Sequence, residues 1–275
     1  MLARLTGIVA ILAILTTSCG DRLTIKTPSP TPTATPKPTA LSLAELRKSG
    51  KLRAAFNRLN ITCIQTNSRG ETGLCVEVAR ELATQLHTTL VVSQYDTGGA
   101  LMDAGRAGDW DVAFVNLDLN LPQPGINATA AYLELDQTYL VRGDSPYRSV
   151  ADVDRPGVRI AAFSPSAIEG FLKQHLKYAI VVEVPRIAHG VQLIEQGQAD
   201  AYAASRDELD DGGYRLAEGR VLDDSITRFR WGVVVASGRS DLLAYVAQFL
   251  DSVKKNGLIQ DAIDTYKVAG ARIAR

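Results

Sequence analysis

Few residues in this 275-residue chain have the types and spacing that covalent chemistry requires. The three histidines, His87, His175 and His189, each fall inside a helical segment or at its end, and none stands beside a nucleophile motif. No His, Cys, Asp or Glu set has metal-ligand spacing, and no glycine loop has a nucleotide-binding pattern. The expectation is no catalytic residue, no metal and no cofactor. The chemistry that the sequence does offer is non-covalent. Ser164, Pro165 and Ser166 follow an apolar run and open a helix at Ala167, where serine before proline is good N-cap chemistry. Such a start presents backbone N–H groups and a positive dipole end to a carboxylate or similar anion. An ordinary capped helix that binds nothing is the other reading. A loop rich in Asn and Pro, residues 116–127, follows the strand-like DVAFV, and Asn116, Leu117 and Asp118 stand at its start. In open α/β sheets, loops at strand C-terminal ends line ligand crevices.

The elements that position these groups follow from periodicity. Residues 51–86 read as a strand, a hairpin and an amphipathic helix. The strand is the apolar run 52–56, which leaves Asn57 and Asn60 at its exit. Asn67, Ser68, Arg69 and Gly70 supply the turn. Val76, Ala79, Leu82, Ala83 and Leu86 recur at helical spacing. Strands are then expected at 90–95 and 111–115 around a helix at 98–107, and this alternation predicts parallel strands with crossover helices. Residues 139–142 read as extended and lead into the turn-like GDSP. A second α/β run follows, with strands at 158–163, 179–184 and 200–204, the last ending at Ser205, and helices to 176 and over 187–196. A strand at 229–236 and two helices, separated by Gly257, complete the chain.

The ends and the composition set the compartment. Arg4 and the apolar run 7–15 read as a targeting segment too short to span a bilayer. LTTSC at 15–19 resembles a bacterial lipobox, with cleavage before Cys19 and lipid on its sulfur; an ordinary secretory signal is the alternative. TPSPTPTATPKPTA at 27–40 favours extended polyproline and reads as a tether of roughly 40 Å. Thirty basic and thirty acidic residues cancel, which gives no electrostatic case for nucleic acid. If Cys19 carries lipid, Cys63 and Cys75 remain as an even pair in an oxidising compartment. Counting outward from the turn places them nearly opposite each other, so they read either as a disulfide or as two buried thiols.

In order, LRAAF, GETGLCVEVARELA, GDWDVAF, AAYLELDQTYLVR, RIAAFSPSAIEGFL, GQADAYAAS and WGVVVASG…LAYVAQFLDSVKKNGLIQDAI resemble the bacterial extracellular solute-binding proteins of family 3. These are the periplasmic components of polar-amino-acid-type ABC importers. The resemblance implies an α/β, two-lobed periplasmic-binding-protein fold of type II, with two open sheets and flanking helices joined by two hinge crossings. It implies a signal at 1–18, a lipid-anchored tether at 19–42, lobe 1 at 43–140 and 231–275, and lobe 2 at 141–230. The crossings are expected near 140–142 and 229–232. It further implies a monomer bound to the membrane through Cys19, outside the cytoplasm, that hands a small polar solute to ABC permease subunits. A sensor or accessory binding protein, or a cyclohexadienyl-type dehydratase on the same fold, is the alternative. The ligand-binding set is Asn57, Asn60, Asn116, Leu117, Asp118, Ser164, Ser166, Ala167 and Ser205. By the resemblance, the family's aromatic positions fall on Asn60 and Cys63, one acidic position on Cys75 and the other on Ser205. Where the family has a carboxylate-clamping arginine, Gln123 is nearest; Asp118 or Arg142 is expected to restore a charge contact.

Overall fold

The computed structural model describes residues 42–68, 70–211 and 216–275. The expected signal, Cys19 and nearly all of the tether lie outside the described residues. Among these residues no helix is long and apolar enough to cross a membrane.

The chain opens with α1 (Leu43–Ser49), set by a capping box between Ser42 and Glu45 and closed by Gly50 at φ 68°. β1 (Lys51–Asn57) follows, then the hairpin β2 (Gln65–Asn67) and β3 (Gly70–Thr72), and α2 (Leu74–Gln85), whose apolar face is fully buried. β4 (Thr89–Tyr95), α3 (Gly98–Ala107) and β5 (Val112–Asn116) complete a parallel set in the order β4-β1-β5. The segment expected as a plain loop holds one helical turn, α4 (Leu117–Asn120), capped by the Asn116 side chain, and the short β6 (Ile126–Ala128). Both are too brief to leave a periodic signal.

The extended stretch at 139–142 is the end of a ten-residue strand, β7 (Leu133–Arg142). The second run contains β8 (Arg159–Phe163), α5 (Ala167–His175), β9 (Ile180–Val184), α6 (Ile187–Glu195) and β10 (Ala201–Ser205). The acid-rich α7 (Arg206–Asp211) follows directly. β11 (Gly219–Val221), β12 (Thr227–Ala236), α8 (Ser240–Lys255), α9 (Leu258–Tyr266) and β13 (Ala271–Ile273) close the chain.

The path β4-β1-β5-β12-β7-β10-β8-β9 is hydrogen-bonded throughout, so the two open sheets share the long strands β7 and β12. The N-terminal halves of these two strands pair with each other, antiparallel, from Thr227 opposite Gln137 to Trp231 opposite Leu133. Beyond that crossing they diverge, β12 pairing with β5 and β7 with β10. The buried apolar residues divide around the crossing. Residues between 46 and 135 pack with residues 233–268, whereas those between 139 and 229 pack among themselves. At about 25 cal/mol per Å² of apolar surface, each set is a sizeable core in its own right.

Candidate functional site

The register brings two strand ends to one place. The last residue of β5, Asn116, lies opposite Trp231, which lies opposite Leu133. The last residue of β10, Ser205, lies opposite Gln137, which lies opposite Thr227. Leu133 and Gln137 are four residues apart on β7, about 13 Å at strand rise. The C-terminal edges of both parallel sets therefore converge on the crossing of β7 and β12. An open α/β sheet puts its ligands at such edges.

On the first edge, the Asn57 side chain accepts the Leu59 N–H at 2.9 Å and holds the loop after β1 in a turn. Asn60 Oδ1 accepts the Cys63 N–H at 3.3 Å, while its Nδ2 is buried without a partner. Asn116 Oδ1 accepts from the N–H groups of Asp118 and Leu119, shaping α4 and the Leu117 backbone. Leu59, Ile61 and Leu119 are exposed apolar side chains on the loops at this edge. They escaped the sequence reading because single apolar residues in loops carry no pattern.

The charged groups expected to take part in binding are paired within the protein. Arg230 donates to Asp118 through its backbone N–H at 2.7 Å and its guanidinium at 3.0 and 2.5 Å. Arg142 forms a two-point pair with Asp144, at 3.0 and 2.7 Å. Asp118 and Arg142 are thus each paired within the protein, and the Gln123 side chain is engaged by Arg106 at 3.0 Å.

The wall between β1 and α2 is fixed covalently. Cys63 and Cys75 form a disulfide with their Cα atoms 4.5 Å apart, and both are buried. The Tyr132 hydroxyl donates to Cys75 Sγ at 3.1 Å. Gly73 sits at φ 125°, and a Cβ there would lie 2.6 Å from the Cys63 carbonyl oxygen, so only glycine lets the strand-side loop close on the helix.

On the second edge, Ser166 Oγ accepts the Glu169 N–H at 3.2 Å and caps α5 ahead of Ala167. The earlier N–H groups of that turn have no intrahelical acceptor. The Ser164 hydroxyl donates to Glu183 at 3.2 Å, so it is tied to β9. The Ser205 hydroxyl donates to Glu208 at 3.5 Å.

Asp207, 8% exposed, accepts a hydrogen bond from the Thr62 hydroxyl, which belongs to the loop of the first edge. Burial raises the pKa of Asp207, and the hydroxyls of Thr62 and Ser205 offset only part of that. Burial, and then the charge of Asp207, push Glu208 up to about 7. Asp207 lines a cavity of about 80 Å³ together with Ile61, Thr62, Gln65, Tyr266, Lys267 and Val268. Sequence reasoning passed over Asp207 and Glu208 because RDELDD reads as a solvated helical face. Among the described residues no group of three or more His, Cys, Asp or Glu gathers for a metal ion. His175 stacks on Phe171, with ring centroids 3.9 Å apart.

No protein-family model and no curated protein sequence matches the chain. Solved structures do. An ancestral amino acid-binding protein described as a precursor of cyclohexadienyl dehydratase aligns with a TM-score of 0.65 at 22% identity, over 82% of this chain and 98% of its own. The substrate-binding protein of an amino acid ABC transporter from Streptococcus pneumoniae, bound to L-arginine, aligns at 0.62 and 18%, over 82% and 98%. A solute receptor for L-cysteine of Neisseria gonorrhoeae aligns at 0.65 and 14%, over 86% and 100%. Similarity at this level carries architecture and nothing finer: the chain has the two-lobed α/β fold of periplasmic solute-binding proteins.

Proposed function

We propose that this protein is a membrane-tethered, extracytoplasmic substrate-binding protein of an ABC importer that closes two lobes on a small polar solute, amino-acid-like or an organic acid. The observation that carries the reading is the convergence of the β5 and β10 edges on two crossing strands. Two strands that alone connect two cores can flex, and a solute touching both edges stabilises the closed arrangement. Lobe 1 is taken as 43–140 and 231–275, and lobe 2 as 141–230. Tethering rests on Cys19 and the tether. The recognition set is Asn57, Asn60, Asn116, Leu117 and Asp118 facing Ser164, Ser166, Ala167 and Ser205. Leu59, Ile61 and Leu119 are suited to the apolar part of a solute, and the α5 start to its acidic part. The structural neighbours, one bound to L-arginine and one described as a solute receptor for L-cysteine, support a solute of amino-acid size. The test is calorimetry and thermal shift against amino acids, organic acids and phosphonates. Saturable binding by at least one solute is expected, and its loss on Ser166→Pro or Asn116→Leu would assign the edges. A full panel without binding defeats the reading.

One observation favours a second reading, a dehydratase. Glu208 accepts the Ser205 hydroxyl at 3.5 Å beside the end of β10, and burial and then the charge of Asp207 push its pKa up to about 7, a value suited to proton transfer near neutral pH. Turnover of a cyclohexadienyl acid that disappears in Glu208→Gln would establish it; binding without turnover leaves the importer reading in place.

A further inference from the structure

By the lobe division proposed above, Asp207 is a residue of lobe 2 seated among residues of lobe 1. It is the second residue of α7, which packs on β10 and β11 and so travels with lobe 2. Its carboxylate takes the hydroxyl of Thr62, from the loop after β1, and both residues are buried. The cavity beside this contact is otherwise lined by Ile61, Thr62, Gln65, Tyr266, Lys267 and Val268, all in the segments assigned to lobe 1. Arg206, the first residue of α7, lies so close to Gly270 that a Cβ added there would be 2.9 Å from Arg206 Cβ. The start of α7 is thus a plug from one lobe in a socket of the other.

The socket is held in shape from behind. The Thr62 carbonyl accepts the Leu74 N–H at 3.1 Å, and the Cys63 carbonyl accepts the Val76 N–H at 3.3 Å. The disulfide bridges Cys63 to α2. These ties fix the Thr62 hydroxyl in place ahead of the plug, so little freedom is lost when Asp207 meets it. The plug itself is opposed by a cost. Asp207 Oδ2 takes the hydroxyl, but Oδ1 is buried without a hydrogen-bond partner. A hydrogen bond to a carboxylate and the burial of an unpaired oxygen are opposing effects of similar size, so the junction can close without closing for good. We infer that Thr62 and Asp207 form a latch that holds the lobes together when no solute is bound, so that solute enters through a minor, unlatched state. The latch rests on the two-lobe reading above, and it is tested without solute.

Spin labels on the full chain at Ala100→Cys and Ala188→Cys report the distance between lobes. Both positions are exposed, in the first turns of α3 and α6, which follow the outermost strands β4 and β9, so hinge motion displaces them strongly. Without solute the labelled parent is expected to give one short distance. Thr62→Val and Asp207→Ala are each expected to add a longer one, with the closed-to-open ratio down about tenfold, the worth of one hydrogen bond to a charged group. Thr62→Ser keeps the donor and Asp207→Asn keeps an acceptor, and both are expected to match the parent. Circular dichroism checks folding, and Asp207→Ala carries the test if Thr62→Val does not fold, because it removes a buried charge. A parent that already samples the long distance, and shortens only when a solute from the panel is added, overturns the latch and leaves the two-lobe reading standing. Thr62→Val and Asp207→Ala that both match the parent also overturn it. One unchanging distance in every variant, with and without solute, overturns the latch and the hinge closure together.

Discussion

At the residue scale, two acids with opposite behaviour, Asp111 buried and Glu208 partly so, shape the response to pH. Burial alone would raise the pKa of Asp111, but hydrogen bonds from the Arg53 guanidinium and backbone and from Arg239 win and hold it below the ordinary value. Its stabilisation is present above pH 3.8 and is lost as pH falls through the lowered folded value. Asp111 is 1% exposed and Arg239 2% exposed, so removing the carboxylate strands a buried guanidinium. Asp111→Ala is expected to cost about 3 kcal/mol or more in urea unfolding. Glu208 runs the other way. Its folded value, about 7, lies above the model-peptide value of 4.5, so the folded state favours the proton. Stability is lost as pH rises from 4.5 to about 7 and is flat above that. Allowing for the partial exposure of Glu208, the loss is about 2 kcal/mol. Glu208→Gln is expected to remove that slope, as measured by urea midpoints at pH 5 and pH 8. A slope that survives in the variant places the titration elsewhere.

At the scale of elements, the hairpin and α2 form a wall held by one covalent bond. A disulfide closing a loop of this length, with partners 12 apart in sequence, contributes about 3 kcal/mol by restricting the unfolded chain. The double change Cys63→Ala, Cys75→Ala is expected to lose that amount, and mass spectrometry before and after reduction checks the bridge directly. The two cysteines were legible as neighbours from the turn between them, but the geometry was not. They lie just outside the β2–β3 ladder, where Gln65 pairs with Thr72, and the bridge joins a loop to a helix. The helices were legible because their apolar spacing and caps are local. β6, β11 and β13, three residues each, were not, since a strand that short exists only where a longer neighbour supplies its hydrogen bonds.

At the scale of the whole molecule, the continuous hydrogen-bond path through β12 and β7 means that the two cores are joined by a strip of sheet. A strip carried by β7 and β12, with the three-residue β13 along part of its edge, bends and twists more readily than the packed cores that flank it. If the proposed binding is right, a solute that binds should reduce the radius of gyration in X-ray scattering, with no loss of helix or strand by circular dichroism. A bound solute that leaves the scattering curve unchanged would mean that the cleft is already shut. The Thr62–Asp207 contact makes that outcome a meaningful one, because it joins the two edges with no solute present.

What the sequence by itself determined is the local grammar. Parallel α/β runs, the cap at Ser166, the break near 143–146 and the nearness of two cysteines all follow from spacing and residue type within about a dozen positions. Tertiary structure alone decided which acids are buried. Asp207 reaches Thr62 across 145 positions and is buried where Ile61, Thr62, Gln65 and residues 266–268 gather around it. A carboxylate on a short polar helix looks solvated in any local window; only the chain that folds over it can shift its proton affinity. The expected acid at Ser205 thus reads as a serine at the strand end, and the carboxylates stand two and three residues further on, at the junction.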